Sequence, residues 1–506
     1  MPPAQGLRMS DSVSALLAGV DWAAVAILTP LAGGAAAFVL PDRARAIGVA
    51  ASVTTAAAAV ALVWLIATAG PYDLAVGGWS APLGIRIAAD GLSAVLIGMT
   101  NLVGASVAVH AALTGRQTKP VAEAGVAAWG FWPLWLLLLA GLNALYLSAD
   151  IFNLYVTLEI IGLSAAGLAA LSGKAEAFKA AIRYLLVGII ASLVYLLGVT
   201  LLFAQYGVLD LGGLRAVMVP APATQFAMVA MLAALAMKSA LFPLHGWLPP
   251  AHGNATSPVS ALLSALVVKA SLYMAVRLWL DLYQPAGVGG EAIATVLGVL
   301  GACAVLWGGV QALIAKRLKL VVAYSTVAQV GYLFMCFPLW ADGREALAAF
   351  AYLAVAHAFA KSALFLACEQ VQRTLGDDQV SSLSKPELPG AVKVTFALAA
   401  VSLVGLPPSG GFIGKWLLLE STLSHGLTVW TVIVLCGTLL SAAAMARVLA
   451  RFFAPEGQAA AHPQVVGDAA SWRFSLTPLL LAVAAVGIGL LGAWPVELVG
   501  IVGTAQ

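Results

Sequence analysis

Met237-Lys238-Ser239-Ala240-Leu241-Phe242-Pro243 closes one apolar stretch of the chain, and Gly405-Leu406-Pro407-Pro408-Ser409-Gly410-Gly411 interrupts another. Proline removes a backbone donor and clashes with the preceding turn, and glycine lowers helix stability, so both segments should unwind inside otherwise helical sequence. One interruption alone reads equally as a packing kink or a loop end. Paired interruptions at corresponding places in two halves of a chain are the pattern of a transporter's ion path.

Outward from these breaks, the sequence is 62% hydrophobic and only 9% charged over 506 residues. A soluble domain could not solvate such a surface. A span takes about 20 apolar residues, so the length accommodates roughly fourteen helices joined by short loops. Apolar runs place them near 22–40, 46–69, 90–113, 127–147, 150–172, 178–205, 222–246, 256–280, 291–315, 319–340, 345–371, 392–424, 427–453 and 475–500. The polar lead Met1 to Ser10 enters the first run without a small-residue cleavage site, which reads as a retained first helix. No basic cluster suggests nucleic acid. Cys303, Cys336, Cys368 and Cys436 lie singly in apolar sequence, with no spacing suited to a metal or an iron–sulfur cluster.

The loops differ in charge. Odd-numbered loops carry Arg43 and Arg45, Arg116 and Lys119, Lys174 and Lys179, Lys316, Arg317 and Lys319, Arg373 and Lys385, and Arg451 and Arg473, while even loops carry scattered cations such as Arg86, Arg215 and Arg344. The positive-inside rule puts the odd loops in the cytoplasm and both termini outside it, in the cell membrane. Arg183, Arg277 and Arg447 read as interfacial, Asp150 as a span-end residue, and Trp129, Trp132, Trp135 and Trp247 as an aromatic belt.

A charge in the apolar interior costs about 2.5–3.5 kcal/mol on insertion scales, so ionisable residues within spans are functional candidates. Glu159 stands mid-span, Lys238 just before the first break, Lys269 in the middle of the eighth span, and Lys415 just after the second break. His357 and Lys361 are one helical turn apart, hence on one face. Burial favours the uncharged form of lysine and carboxylate alike, and an opposite charge nearby restores both, so a separable pair can release a proton. Histidine titrates near neutrality, which makes His357 and His245 relay candidates. One lysine alone could reach the interface along its aliphatic stem. Four lysines and a glutamate together read as a proton wire.

Several motifs resemble a known family. They are Ala149-Asp150-Ile151-Phe152-Asn153-Leu154-Tyr155 leading to Glu159, and Lys238 to Pro249 followed by Ala251-His252. Ala323 to Tyr332, His357 to Leu366, and Pro407 to Lys415 complete the set. In order from about residue 90 to 450, they resemble the proton-conducting membrane subunits shared by respiratory complex I, Mrp-type cation/proton antiporters and membrane-bound hydrogenases. The resemblance implies an all-α membrane protein of about fourteen transmembrane helices with two inverted five-helix repeats, each with a broken helix. That division is 1–126 for helices 1–3, 127–280 and 281–453 for the repeats, and 454–506 for the last helix. It implies that Glu159 and Lys238 form the pair whose separation gates proton movement, with Lys269, His357 and Lys361 as the central relay and Lys415 as the exit residue. Lysine at the last position resembles the Mrp D type or the complex I N and L types.

The expected function is therefore a proton-translocating subunit of a multisubunit ion-pumping complex, Mrp-like or complex I- or hydrogenase-like. Its expected partners are other membrane subunits, the lipid bilayer and protons, with sodium or potassium as candidate coupled ions. No NADH, flavin or iron–sulfur site is visible, so no cofactor or metal is expected, and redox chemistry belongs to partner subunits. The competing class is a stand-alone secondary transporter of a small solute, which needs a substrate pocket at the breaks.

Overall fold

The computed structural model describes residues 19–79, 84–115, 130–288, 290–340, 344–385, 388–454, 472–492 and 494–501. The polar lead Met1 to Ser10, Trp129, and the loop cations Arg116 and Lys119 lie outside these residues.

The long apolar runs fold as helices because only internal hydrogen bonding satisfies the backbone away from water. They are α1 (Trp22–Val39), α2 (Ala44–Ala69), α3 (Gly91–Thr114), α4 (Phe131–Tyr146), α5 (Ile151–Ala170), α6 (Ala175–Tyr206), α7 (Pro222–Lys238) and α8 (Leu248–Asn254). The series continues with α9 (Ser257–Tyr283), α10 (Gly290–Ile314), α11 (Leu318–Phe334) and α12 (Arg344–Leu375). It ends with α13 (Gly390–Val404), α14 (Gly410–Ser424), α15 (Thr428–Phe452) and α16 (Trp472–Gly487). Among the described residues, 11 helical segments are long and apolar enough to cross a bilayer, and α4, α7 and α13 are shorter apolar helices. The chain is a mostly helical, multi-pass membrane protein.

Helix α9 is buried along its length, and α12 nearly so, whereas α1, α6, α15 and α16 expose about two-thirds of their most apolar stretch. Core position thus goes to the helices that carry mid-span lysines. A short hairpin, Tyr72–Ala75 against Arg86–Ala89, and a helix at Leu211–Val217 decorate the even-loop face and were not legible as spans.

Both breaks end their first helix in the same way. Ala240 (φ 57°) and Gly405 (φ 84°) take the left-handed conformation. The following amides, Leu241 and Leu406, reach back to the carbonyls of Ala236 and Val401 at 3.0 and 2.9 Å. That is the hydrogen-bonded C-terminus in which the orphan carbonyls of the last turn are partly satisfied. Pro243, Pro407 and Pro408 follow in the non-helical stretch, as their missing donors require. The expected span 222–246 is therefore α7 and a 3-10 turn (Leu244–Trp247) that leads into α8 beyond it, the expected span 392–424 is two helices, α13 and α14, and the last expected span, 475–500, is a helix ending at Gly487 with a short turn of helix at Trp494–Val499.

Several placements correct the sequence reading. Trp132, Trp135 and Trp247 are interior, not an interfacial belt: Trp132 packs on Gly48, whose missing Cβ makes the room, and the indoles of Trp135 and Trp247 donate to Ser52 Oγ (2.9 Å) and the Met237 carbonyl (3.1 Å). Arg277, near the end of α9, is paired: it sits against the Asp90 carboxylate, with Nη1 donating at 2.6 Å and Nη2 also bonded to it. Lys319, grouped with the loop cations, is buried in the first turn of α11 and donates to the Ala255 carbonyl at 3.0 Å.

Candidate functional site: a polar row across the core

Glu159 projects from the middle of α5, a helix whose start is fixed by Asp150 accepting from the amides of Phe152 (2.8 Å) and Asn153 (2.7 Å). Lys238 is the last residue of α7, so its side chain leaves the helix where the backbone turns away. Lys238 Nζ donates to Glu159 Oε1 at 2.9 Å, and Ser192 of α6 donates to the same oxygen. A small opening lies beside the pair, lined among others by Gly162, Tyr184, Trp247 and Ser271.

From the break, Ser239 Oγ meets Ser271 Oγ at 2.8 Å, which carries the polar path onto α9, two residues from Lys269. Lys269 is almost wholly buried (1% exposed) and follows a π-helical turn, Leu263–Val267, whose altered hydrogen bonding leaves the Ser264 carbonyl free to accept from Nζ at 2.6 Å. Its other partner is His357 Nδ1 on α12, at 2.5 Å. With an ammonium donor on Nδ1, the imidazole proton sits on Nε2, which is buried with no partner among the described residues.

One turn along α12, Lys361 donates to the Val322 carbonyl at 2.9 Å and to Ser325 Oγ, both on α11. Gln329, one turn on, donates to the Leu403 carbonyl at 3.3 Å, at the second break. Lys415, from the second turn of α14, reaches the same carbonyl and that of Val404, both at 3.0 Å, with Nζ 4.8 Å from the Tyr332 ring centre. The end of α13 thus supplies the negative pole of a half-helix to the ammonium. Small side chains and backbone carbonyls stand between these charged groups, which succeed one another in order from Glu159 to Lys415.

His245 stands apart. Its Nε2 accepts from the Trp307 indole at 3.1 Å, and its ring stacks on Phe242. Because indole only donates, Nε2 carries no proton in this arrangement. His252, to which the sequence reading gave no role, lies on α8 fully buried, stacked on Phe365 at 5.2 Å, with neither ring nitrogen partnered among the described residues. It lies within electrostatic reach of Lys269 and Lys361. Only the fold could place it there, because no spacing in the sequence relates α8 to α12.

The family model described as NADH:quinone oxidoreductase/Mrp antiporter, TM, matches residues 148–441, the stretch that holds the whole row. The chain belongs to this family. It is 34% identical over 450 residues to the NADH-quinone oxidoreductase subunit N of Desulforudis audaxviator, covering 86% of each chain. It is 31% identical over 435 residues to the D-type subunit of a probable K(+)/H(+) antiporter of Rhizobium meliloti, covering 78% of this chain and 77% of the relative. A chain of the Mrp complex from a Dietzia species superposes with a TM-score of 0.83 at 25% identity, over 95% of this chain and 96% of the other.

Proposed function

We propose that this subunit translocates protons within a multisubunit ion-pumping complex of the cell membrane, Mrp-type or complex I- or hydrogenase-like, along Glu159, Lys238, Lys269, His357, Lys361 and Lys415. The observation that carries the reading is a succession of short hydrogen-bonded groups, Glu159 with Lys238, Ser239 with Ser271, Lys269 with His357, Lys361 with Ser325, and Gln329 and Lys415 on the Leu403 carbonyl, that follow one another through the buried core and touch both helix breaks. Its one carboxylate is Glu159, at the end opposite Lys415. A pair of unit charges 4 Å apart gains about 4 kcal/mol at an effective dielectric of 20, so drawing Lys238 away from Glu159 alters the balance of every cation behind it. Lys238 is the residue best placed to move, at a helix end beside a break. Partner subunits supply the driving reaction and the coupled ion, sodium or potassium being the candidates. His245 takes a side position near the break.

Fourteen spans with two inverted repeats, 127–280 and 281–453, and both termini outside the cytoplasm complete the proposal. In its support, two isolated bridges recur: Asp150 with Asp210 where α5 begins, and Arg317 with Gln379 where α11 begins. The first lies at the even-loop face and the second at the odd-loop face, as inversion requires. The two breaks, with their left-handed Ala240 and Gly405, follow at nearly the same interval from each bridge.

Membrane vesicles carrying the full chain with its companion subunits test the row. Glu159→Gln and Lys238→Met are each expected to abolish proton transport while the chain still inserts at normal level; near-normal transport in both rejects the pathway.

A further inference from the structure

A second buried cluster of ionisable groups lies off the row. His110, fully buried on α3, places Nε2 3.3 Å from Glu369 Oε2 of α12 and Nδ1 2.7 Å from Thr477 Oγ1 of α16. Arg373, one turn beyond Glu369, donates to Oε1 through Nε (3.0 Å) and Nη2 (2.7 Å), and packs over the Phe474 ring. Lys319 of α11 lies within electrostatic reach of Glu369, and α16 faces the cluster with the uncharged Thr477 and Phe474. All three helices carry these residues at their odd-loop ends.

We propose that His110 and Glu369 form a proton-loading relay between the odd-loop face and Lys361, a branch that rests on the row serving proton transport. The partners of His110 suit reversible protonation. Neutral, with its proton on Nε2, the ring donates to Glu369 and accepts the Thr477 hydroxyl proton at Nδ1. When a proton arrives at Nδ1, the Thr477 hydroxyl rotates and accepts instead, because a hydroxyl both donates and accepts. The Nε2 proton then passes to Glu369 Oε2, leaving a neutral imidazole protonated on Nδ1 and a protonated carboxyl. Neither step strands a buried polar atom, and none needs a backbone change. Arg373 on the other oxygen keeps the carboxylate oriented throughout.

From Glu369, the way inward is eight residues of α12, about 12 Å along the axis, to Lys361. Cys368 and Lys319 lie along it, with Cys368 within electrostatic reach of both lysines. His252, within reach of Lys319 and Lys361, and the unpartnered Ser362 Oγ are the buried polar groups at the inner end.

The test uses vesicles with the full complex and measures proton transport against the pH of the odd-loop side. Glu369→Gln is expected to lower transport at least about tenfold, the low end of what a positioned proton-transfer group contributes. Thr477→Val, nearly isosteric and so expected to fold, should shift the pH profile, and Thr477→Ser should restore it. Normal rates and an unmoved profile in Glu369→Gln and Thr477→Val, alongside abolished transport in Glu159→Gln, overturn the relay and leave the row standing. Retained transport in both Glu159→Gln and Lys238→Met overturns the row itself. If Glu369→Gln fails to insert, the Thr477 pair decides alone: an unmoved profile in Thr477→Val overturns the relay.

Discussion

Residue by residue, the row is asymmetric. Thr326 of α11 lies as far beyond its bridge as Glu159 of α5 does, and Leu403 lies as far before the left-handed residue of its break as Lys238 does. At the second break the Leu403 carbonyl, freed by the break, accepts from Lys415 Nζ, which comes from the far side. Gly405 makes this possible twice over. It adopts φ 84°, and a Cβ there would lie 2.9 Å from Lys415 Cδ. Gly405→Ala is expected to cost about 1–2 kcal/mol from the left-handed backbone alone, read as a lower unfolding midpoint, and to slow transport beyond what that loss explains because the lysine stem is displaced. A variant with lowered stability and full transport would separate the glycine from the proton path. The residues Glu159, Lys238, Lys269, His357, Lys361 and Lys415 were legible because a charge stands out in an apolar run. His252, His110 and Glu369 were not, since histidine is common in cores and Glu369 sits where a span end was expected.

At the scale of elements, α3 is tied to α9 by a polar anchor. Asp90 caps α3, accepting from the Ser93 amide at 3.0 Å, while Arg277 bonds it, Ser93 Oγ and the Tyr273 hydroxyl. Burial pushes the Asp90 carboxyl up, but the Arg277 guanidinium and the hydrogen bonds from Arg277 and Ser93 outweigh it and hold the group below its usual value. Because the folded value is depressed, the anchor's contribution is complete above the unfolded carboxylate range, about pH 3.9, and fades only as pH falls through the lower folded value. Asp90→Asn takes from the guanidinium its closer charge partner and leaves only Asp281, 3.5 Å from Nη1, a loss toward the low end of the about 3–5 kcal/mol for breaking a buried pair. Thermal unfolding should show a constant gap between Asp90→Asn and the parent from pH 7 to about pH 4, closing only below it; a gap that closes near neutrality would assign the stability to other groups. The sequence places Arg277 near a span end but does not show the Asp90 that α3 brings to it, because hydropathy ranks each residue without its distant neighbours.

For the whole molecule, the proposed topology sets the odd loops in the cytoplasm and the even loops outside it. Lys174, exposed at the start of α6, and Ala216, exposed in the helix Leu211–Val217, should then label from opposite sides. In a chain whose four native cysteines are replaced by alanine, Lys174→Cys is expected to react with an impermeant maleimide only in inverted vesicles and Ala216→Cys only in right-side-out cells. Labelling of both from the same side would overturn the topology.

Taken alone, the amino-acid order determined that this is a membrane protein of many helices, where two of them break, and which ionisable residues stand within apolar runs, because hydropathy, proline and the placing of a charge are local properties. It also carried the family, through motifs that lie in contiguous runs. Only the packed helices decided that Lys238 meets Glu159 and Lys269 meets His357, that Lys415 rests on the carbonyls of a broken helix, and that His110, Glu369 and Thr477 converge. Those meetings join residues far apart in the chain, and neither helical period nor loop length fixes which faces of distant helices come together; the close packing of the buried core does.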